Sequence, residues 1–246
     1  MNIAIKNFIE TCSLLLKPRE EQVVVVEFGG RKMPGQEEFA NVGAFFAGDR
    51  FISTDYLPGP GVDIVDDLRN LSMSSESCDI AVCSSVLEHV DQPFVAVREI
   101  FRVLKPGGYL MFTVPMKIRI HGSPFDYWRF TPDGVRKLLE LFEDVVTVVS
   151  GDPAFPDDVM CLARKTLEIS PKIKTELGLY QIRITPRSIK LRDHAIYLAA
   201  RSFMPLIFLD SNYEFFKRAQ HKSRLAKCRH LFWLLQPAFM RNEKRR

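Results

Sequence analysis

The sequence predicts an α/β fold built on an open, mostly parallel sheet, and three observations carry the prediction. Asp79–Cys83 and Tyr109–Val114 are short apolar runs rich in strand-forming residues. Between them Val95, Ile100, Phe101 and Leu104 recur at helical spacing, and Lys105-Pro106-Gly107-Gly108 stops that helix. Strands joined through a helix favour parallel pairing, because parallel neighbours need a long crossover. Third, Val23–Val26 is a run of four valines, the pattern of a strand buried on both faces. In such sheets a ligand sits beyond the carboxyl ends of the strands. Ser84, Ser85 and the stretch Pro115–His121 fall there and are the first candidates for a site.

The remaining elements follow in chain order. Ile3, Ile5, Phe8, Ile9, Cys12, Leu15 and Leu16 suit an amphipathic helix over Asn2–Lys17. Gln22–Phe28 is the first strand. It leads into Gly29-Gly30-Arg31, where residues without a Cβ let the chain turn sharply and approach a ligand. Arg50–Asp55 is the second strand. Asp55 at its end is a carboxylate that could accept from the two hydroxyls of a ribose, or cap its own turn. Val62–Val65 is a short third strand, followed by Asp66 and Asp67. Asp91 and Pro93 open the helix that follows the fourth strand, Asp91 as an acceptor for the first amides. Thr131-Pro132-Asp133 caps a helix over Gly134–Phe142. Asp144–Ser150 and Val159–Thr166 are the last strand-like runs.

Two segments together resemble the class I S-adenosylmethionine (SAM)-dependent methyltransferases: Ser85-Val-Leu-Glu-His-Val90 after the fourth strand and Leu104-Lys-Pro-Gly-Gly108 before the fifth. The resemblance covers about residues 20–167. It implies a Rossmann-like fold with seven strands, the last two an antiparallel pair, and helices on both faces. It also implies SAM as cofactor, held by Glu27, Gly29, Gly30, Asp55, Asp66, Asp67, Ser84 and Ser85, with Asp66 or Asp67 near the adenine. The family's turn carries a second glycine where Arg31 stands here, one place after Gly30. Glu88 and His89 are read as helix-start capping and packing.

The stretch His121-Gly-Ser-Pro-Phe-Asp126-Tyr-Trp-Arg-Phe-Thr-Pro132 resembles a subset of these enzymes, many of which modify sugars or cell-envelope polysaccharides. The implied acceptor is a saccharide or related small molecule. His121 is the candidate general base and Asp126 its orienting partner. Tyr127 and Trp128 either give an acceptor a stacking wall or, with Phe130, pin the loop to the core.

The bulk numbers bound the rest. A chain of 246 residues allows one large domain plus an extension, divided here into a methyltransferase domain at 1–167 and an extension at 168–246. Five cysteines without a C-x-x-C pair indicate reduced thiols in a cytoplasmic protein, with no metal site expected. No signal peptide and no spanning segment is expected. Residues 171–246 carry 17 Lys and Arg against 5 Asp and Glu, a net charge of +12 on a chain of net +4. That stretch reads as a linker or short hairpin at Pro171–Pro186, then basic helices interleaved with aromatics. It suits an anionic membrane surface on the inner face, a polyanion, an acidic partner chain, or packing on the body. Two other functions fit parts of the pattern. A non-catalytic scaffold would suit the altered glycine turn, and a nucleic-acid methyltransferase would suit the basic extension. The latter lacks an N/D-P-P-Y motif, since Ser84-Ser85-Val86-Leu87 stands at that place.

Overall fold

The computed structural model describes residues 2–16, 22–32, 41–121 and 125–184. Seven strands form one sheet: β1 (Val24–Phe28), β2 (Arg50–Asp55), β3 (Ile64–Val65), β4 (Cys78–Ser84), β5 (Leu104–Pro115), β6 (Asp144–Asp152) and β7 (Phe155–Arg164). Their order across the sheet is β3-β2-β1-β4-β5-β7-β6. All neighbours are parallel up to β5, and β7 runs antiparallel to both β5 and β6. The seven-stranded sheet and its antiparallel end match the expectation.

Helices cover both faces, and the valine run shows how. Successive side chains on a strand point to opposite faces. Val26 therefore joins the core under α2 (Pro93–Val103) and α3 (Pro132–Leu138), with Ala96, Ile100, Val135 and Phe112. Val25 joins the core under α1 (Ile3–Leu15) and α4 (Pro171–Ile184), with Phe8, Cys12, Ile173 and Leu177. Burial on both faces leaves β1 no solvent side, so a run of valines is tolerated there. α1 is thus a core helix, capped at its start by Asn2, whose side chain accepts from the Ile5 amide.

Four local expectations are corrected. The segment Pro171–Pro186 is helical over Pro171–Ile184 rather than a linker or hairpin, and it groups with the first compact unit of the chain, Met1–Pro186. Ile173, Leu177 and Tyr180 stand at helical spacing, and their burial holds it on the sheet. Tyr180 also donates to the Ala4 carbonyl at 2.8 Å, and Gln181 takes both backbone groups of Val149 on the edge strand β6. The basic residues beyond 184, with the helices expected there, lie outside the described residues.

Second, Asp91 does not cap α2. The cap position is Gln92, with no side-chain bond, and Asp91 instead accepts from Arg69 at 2.9 Å. Third, β5 begins at Leu104, not Tyr109. Leu104 pairs with Cys78 and Tyr109 with Ile80, so Lys105–Gly108 loops out between two paired stretches. Pro106 cannot donate to a ladder, and Lys105 reaches back to Asp79 at 2.8 Å. Fourth, α3 starts under the Thr131 cap but closes at Leu138, short of Phe142. No helix among the described residues is long and apolar enough to cross a membrane.

Candidate functional site

The strand order reverses between β1 and β4, because the chain passes from β1 outward to β2 and β3, then returns to β4 and β5 on the other side. A crevice forms beyond the carboxyl ends at such a reversal. At its floor Gly29 and Gly30 both donate to the Thr54 carbonyl, at 2.8 and 2.9 Å. Gly29 has φ +78°, a conformation that suits glycine. A Cβ on Gly29 would fall 2.2 Å from Val86 Cγ2, and one on Gly30 would fall 1.8 Å from Ser53 Oγ. The turn is therefore wedged between β2 and the start of the β4 loop, and neither position has room for a side chain.

Arg31 fits the turn without strain. It is not among the described non-glycine residues with positive φ, which are Glu76, Ser85 and Thr166. Its amide donates to Asp55 Oδ2 at 3.1 Å, and its stem lies over Gly59. Asp55 Oδ1 accepts from Leu57 at 3.0 Å. Each of these oxygens keeps a lone pair, so turn capping and ribose binding are compatible. Glu27 is buried, and burial pushes its carboxyl up to about 7. On the β4 side Ser84 Oγ lies 3.0 Å from Thr113 Oγ1, and Ser85 sits in the left-handed region at φ +55°. A non-glycine residue held there is strained backbone at the mouth of a crevice.

The fold thus gathers Glu27, Gly29, Gly30, Asp55, Ser84 and Ser85 at the ends of three adjacent strands. Asp66 and Asp67 lie one strand further out, after β3, and both hold their own loop. Asp66 accepts from the Ser72 amide and hydroxyl, and Asp67 binds Arg69 through Nε and Nη2. The Arg69 guanidinium holds the Asp67 carboxyl below its ordinary range.

The loop after β5 carries the other candidates; residues 122–124 lie outside the described residues. His121 and Asp126 are neighbours, but not as a simple dyad. Asp126 accepts the His121 backbone amide at 2.8 Å, while the imidazole Nδ1 is 3.4 Å from the same oxygen. The Arg129 guanidinium grips both carboxylate oxygens and holds the Asp126 carboxyl well below its usual range. Asp126 is first a loop anchor. Arg129, absent from the residues singled out in the sequence, is its main partner. Tyr127 and Trp128 both donate backbone amides to the Glu88 carbonyl, at 2.7 and 3.2 Å, and Trp128 Nε1 donates to the Val90 carbonyl at 2.9 Å. The two residues stay 47% and 41% exposed, while Phe130 is buried. Pinning falls to the backbone, the indole N–H and Phe130, which leaves two aromatic faces at the surface.

Glu88 and His89 differ most from their sequence reading. They sit in a short 3₁₀ turn, Leu87–His89, ahead of α2, and Glu88 caps nothing. Its side chain is fully buried, and neither carboxylate oxygen has a hydrogen-bond partner among the described residues. Burial pushes this carboxyl up to about 8. His89 Nδ1 lies 2.6 Å from the Phe125 carbonyl, and its ring meets His121 edge-on at 4.9 Å between centroids. One signal in the sequence points this way. A Glu-His pair follows one strand, a His follows the next, and two adjacent parallel strands bring their exit loops together.

Comparison with known proteins agrees with this geometry. Residues 52–112 match the model of a methyltransferase domain. Two proteins named as probable S-adenosylmethionine-dependent methyltransferases, from two strains of Mycobacterium tuberculosis, are 33% identical over 103 residues, which is 42% of this chain. The match spans 36% of each of those proteins, little more than a third of their length. Among solved structures, the Burkholderia thailandensis 1,6-didemethyltoxoflavin-N1-methyltransferase, bound to 1,6-didemethyltoxoflavin and S-adenosylhomocysteine, aligns with a TM-score of 0.51 at 20% identity, over 67% of this chain and 79% of that one. The CMeT domain of the citrinin polyketide synthase aligns with a TM-score of 0.50 at 14% identity, over 66% of this chain and 53% of that one. The fold is that of the SAM-dependent methyltransferases.

Proposed function

We propose that this chain is a SAM-dependent methyltransferase that methylates a hydroxyl or amine of a sugar, a polysaccharide precursor or a related small molecule. One observation carries the reading beyond the fold. The paired amides of Tyr127 and Trp128 on the Glu88 carbonyl tie the loop after β5 to the turn after β4, three residues past Ser85. An acceptor held by that loop would therefore lie beside a cofactor held in the crevice.

SAM supplies an electrophilic methyl on a sulfonium, so the protein's work is alignment, proton removal and exclusion of water. Gly29 leaves backbone exposed at the crevice while Gly30 packs beneath it, Asp55 offers lone pairs to ribose hydroxyls, and Ser84 and Ser85 line the middle. His121 takes the acceptor's proton, with its main chain fixed by Asp126. The exposed faces of Tyr127 and Trp128 suit a sugar ring. The scaffold reading drew on Arg31, which the turn accommodates. The basic extension, as a surface for anionic membrane or polyanion, lies outside the described residues.

The test is calorimetric titration of the purified chain with SAM and S-adenosylhomocysteine, then methyl transfer to a panel of saccharides. Binding of both, with transfer to at least one saccharide, is expected. Absence of binding by either would remove the methyltransferase reading. Binding without transfer to any saccharide would remove the acceptor class.

A further inference from the structure

We propose that Glu88, His89 and His121 form a binding site for a divalent transition-metal ion, two imidazoles and one carboxylate at the mouth of the crevice. One ligand atom from each side chain can be chosen so that all three lie within 4.8 Å of one another. His89 Nε2 and Glu88 Oε1 are 3.9 Å apart. Ligands at metal-bond lengths of about 2.1 Å stand roughly 3–3.5 Å from one another, so closure asks for side-chain shifts of about an ångström.

The second observation is independent of that spacing. Glu88 is a buried carboxyl whose two oxygens have no hydrogen-bond partner among the described residues. Such a group is costly unless something compensates it. Among the described residues its one charged-type neighbour within ion-pair distance is His89. A cation between them would satisfy both.

The third concerns the imidazoles. The Phe125 carbonyl can only accept, so the 2.6 Å contact puts the proton of a neutral His89 on Nδ1 and a lone pair on Nε2, the nitrogen near Glu88. His121 Nδ1 lies 3.3 Å from the Arg119 carbonyl in the same manner, and Asp126 fixes the His121 amide. A ring nitrogen oriented by an outer carbonyl is the usual setting of a metal-binding histidine. Two nitrogens and one oxygen favour manganese, iron, cobalt, nickel or zinc over magnesium or calcium, and three protein ligands leave positions open. On the methyltransferase reading, those positions would take the acceptor's oxygen and make its hydroxyl more acidic, and His121 would then serve as a ligand in place of the proton acceptor of the metal-free reading. The binding of the ion itself does not depend on that reading.

No spacing motif announces the site, because 32 residues separate His89 from His121 and the sheet alone brings them together.

The test uses the full chain without a histidine tag, stripped with a chelator and titrated with Co²⁺ by visible absorption and with Zn²⁺ in competition. One equivalent should bind, and Glu88→Gln and His121→Ala should each weaken binding by about 10-fold or more. His121 is on a partly exposed loop, so if Glu88→Gln fails to fold, His121→Ala decides. No ion bound by the wild-type chain overturns the proposal, as does equal binding by the variants. A SAM titration of the same protein separates the two readings. Metal without SAM leaves the site standing and removes the methyltransferase reading; SAM without metal does the reverse.

Discussion

Glu27 and Ser53, on adjacent strands, hydrogen bond across 3.3 Å directly beside Gly30, whose missing Cβ would lie 1.8 Å from the Ser53 hydroxyl and 2.8 Å from Glu27 Oε2. The carboxyl is buried at the floor of the crevice, and burial outweighs the hydroxyl in setting its proton affinity. It titrates near 7 in the fold against about 4.5 for a free glutamate. The native state therefore holds this proton more tightly than the unfolded chain between those values. Its contribution to stability falls as pH rises from about 4.5 to about 7, and the deficit is full above that, on the order of 3 kcal/mol. Glu27→Gln removes the titration. Relative to wild type the variant should gain stability between pH 5 and pH 8, as read by urea unfolding. Parallel stability curves for the two proteins would show that Glu27 ionises as an ordinary surface acid.

Gly30→Ala meets the same pair from above. The added methyl cannot coexist with the Ser53 hydroxyl, and the strand beneath it is buried. A loss of about 1–3 kcal/mol is expected from overpacking. Ser53→Gly combined with Gly30→Ala should recover part of it, because the nearest obstacle is a side chain and not backbone. Recovery to no measurable degree would mean that the turn itself, rather than Ser53, rejects the methyl.

Asp55 combines two tasks that its ends can separate. Its oxygens hold the amides of Arg31 and Leu57, so Asp55→Ala should unsettle the glycine turn and weaken SAM binding by about 10-fold or more, at 1.4 kcal/mol per factor of ten. Asp55→Asn keeps one acceptor oxygen and should retain more of the melting temperature than of the SAM affinity. Calorimetry and thermal unfolding of the two variants check this. Equal losses in both readouts would assign Asp55 to the turn alone.

How much of this was legible in the sequence follows from what each feature depends on. The valine run showed a doubly buried strand, since Val25 and Val26 each need an apolar face. The glycine turn and Asp55 were legible because a positive φ and a strand-end carboxylate are local requirements. The helix Pro171–Ile184 was missed because Gly178 in its interior weakens its propensity, and its buried face exists only through tertiary contact with the sheet. Asp91 read as a cap, but Arg69, 22 residues earlier, competed for its carboxylate. Glu88 was missed for a related reason. A Glu after a strand is normally solvated, and its burial here depends on tertiary structure, including the loop from β5 that Tyr127 and Trp128 tie to its carbonyl.

His121 is the candidate base, so His121→Ala should cut methyl transfer by about 100-fold or more while leaving SAM affinity within a factor of about 2. The imidazole faces the loop and His89 rather than the glycine turn, which is why the two readouts should part. Turnover equal to wild type removes His121 from proton transfer.

Arg129 and Asp126 make the interaction on which the acceptor loop rests. The Asp126 side chain is nearly buried, and Arg129 meets both its oxygens while also donating to the Arg119 and Trp128 carbonyls. Arg129→Ala leaves a buried carboxylate without its main partner, so it should cost about 2–3 kcal/mol, and Asp126→Asn less. The double variant should cost less than the sum of the singles, since neither residue is then left charged and unpaired. Arg129→Lys should rescue little, because an ammonium cannot reproduce the two-pronged contact. With saccharide acceptor, the loosened loop should raise KM more than it lowers SAM affinity. Additive losses would mean the pair is a surface contact and the loop is held by the Glu88 carbonyl alone.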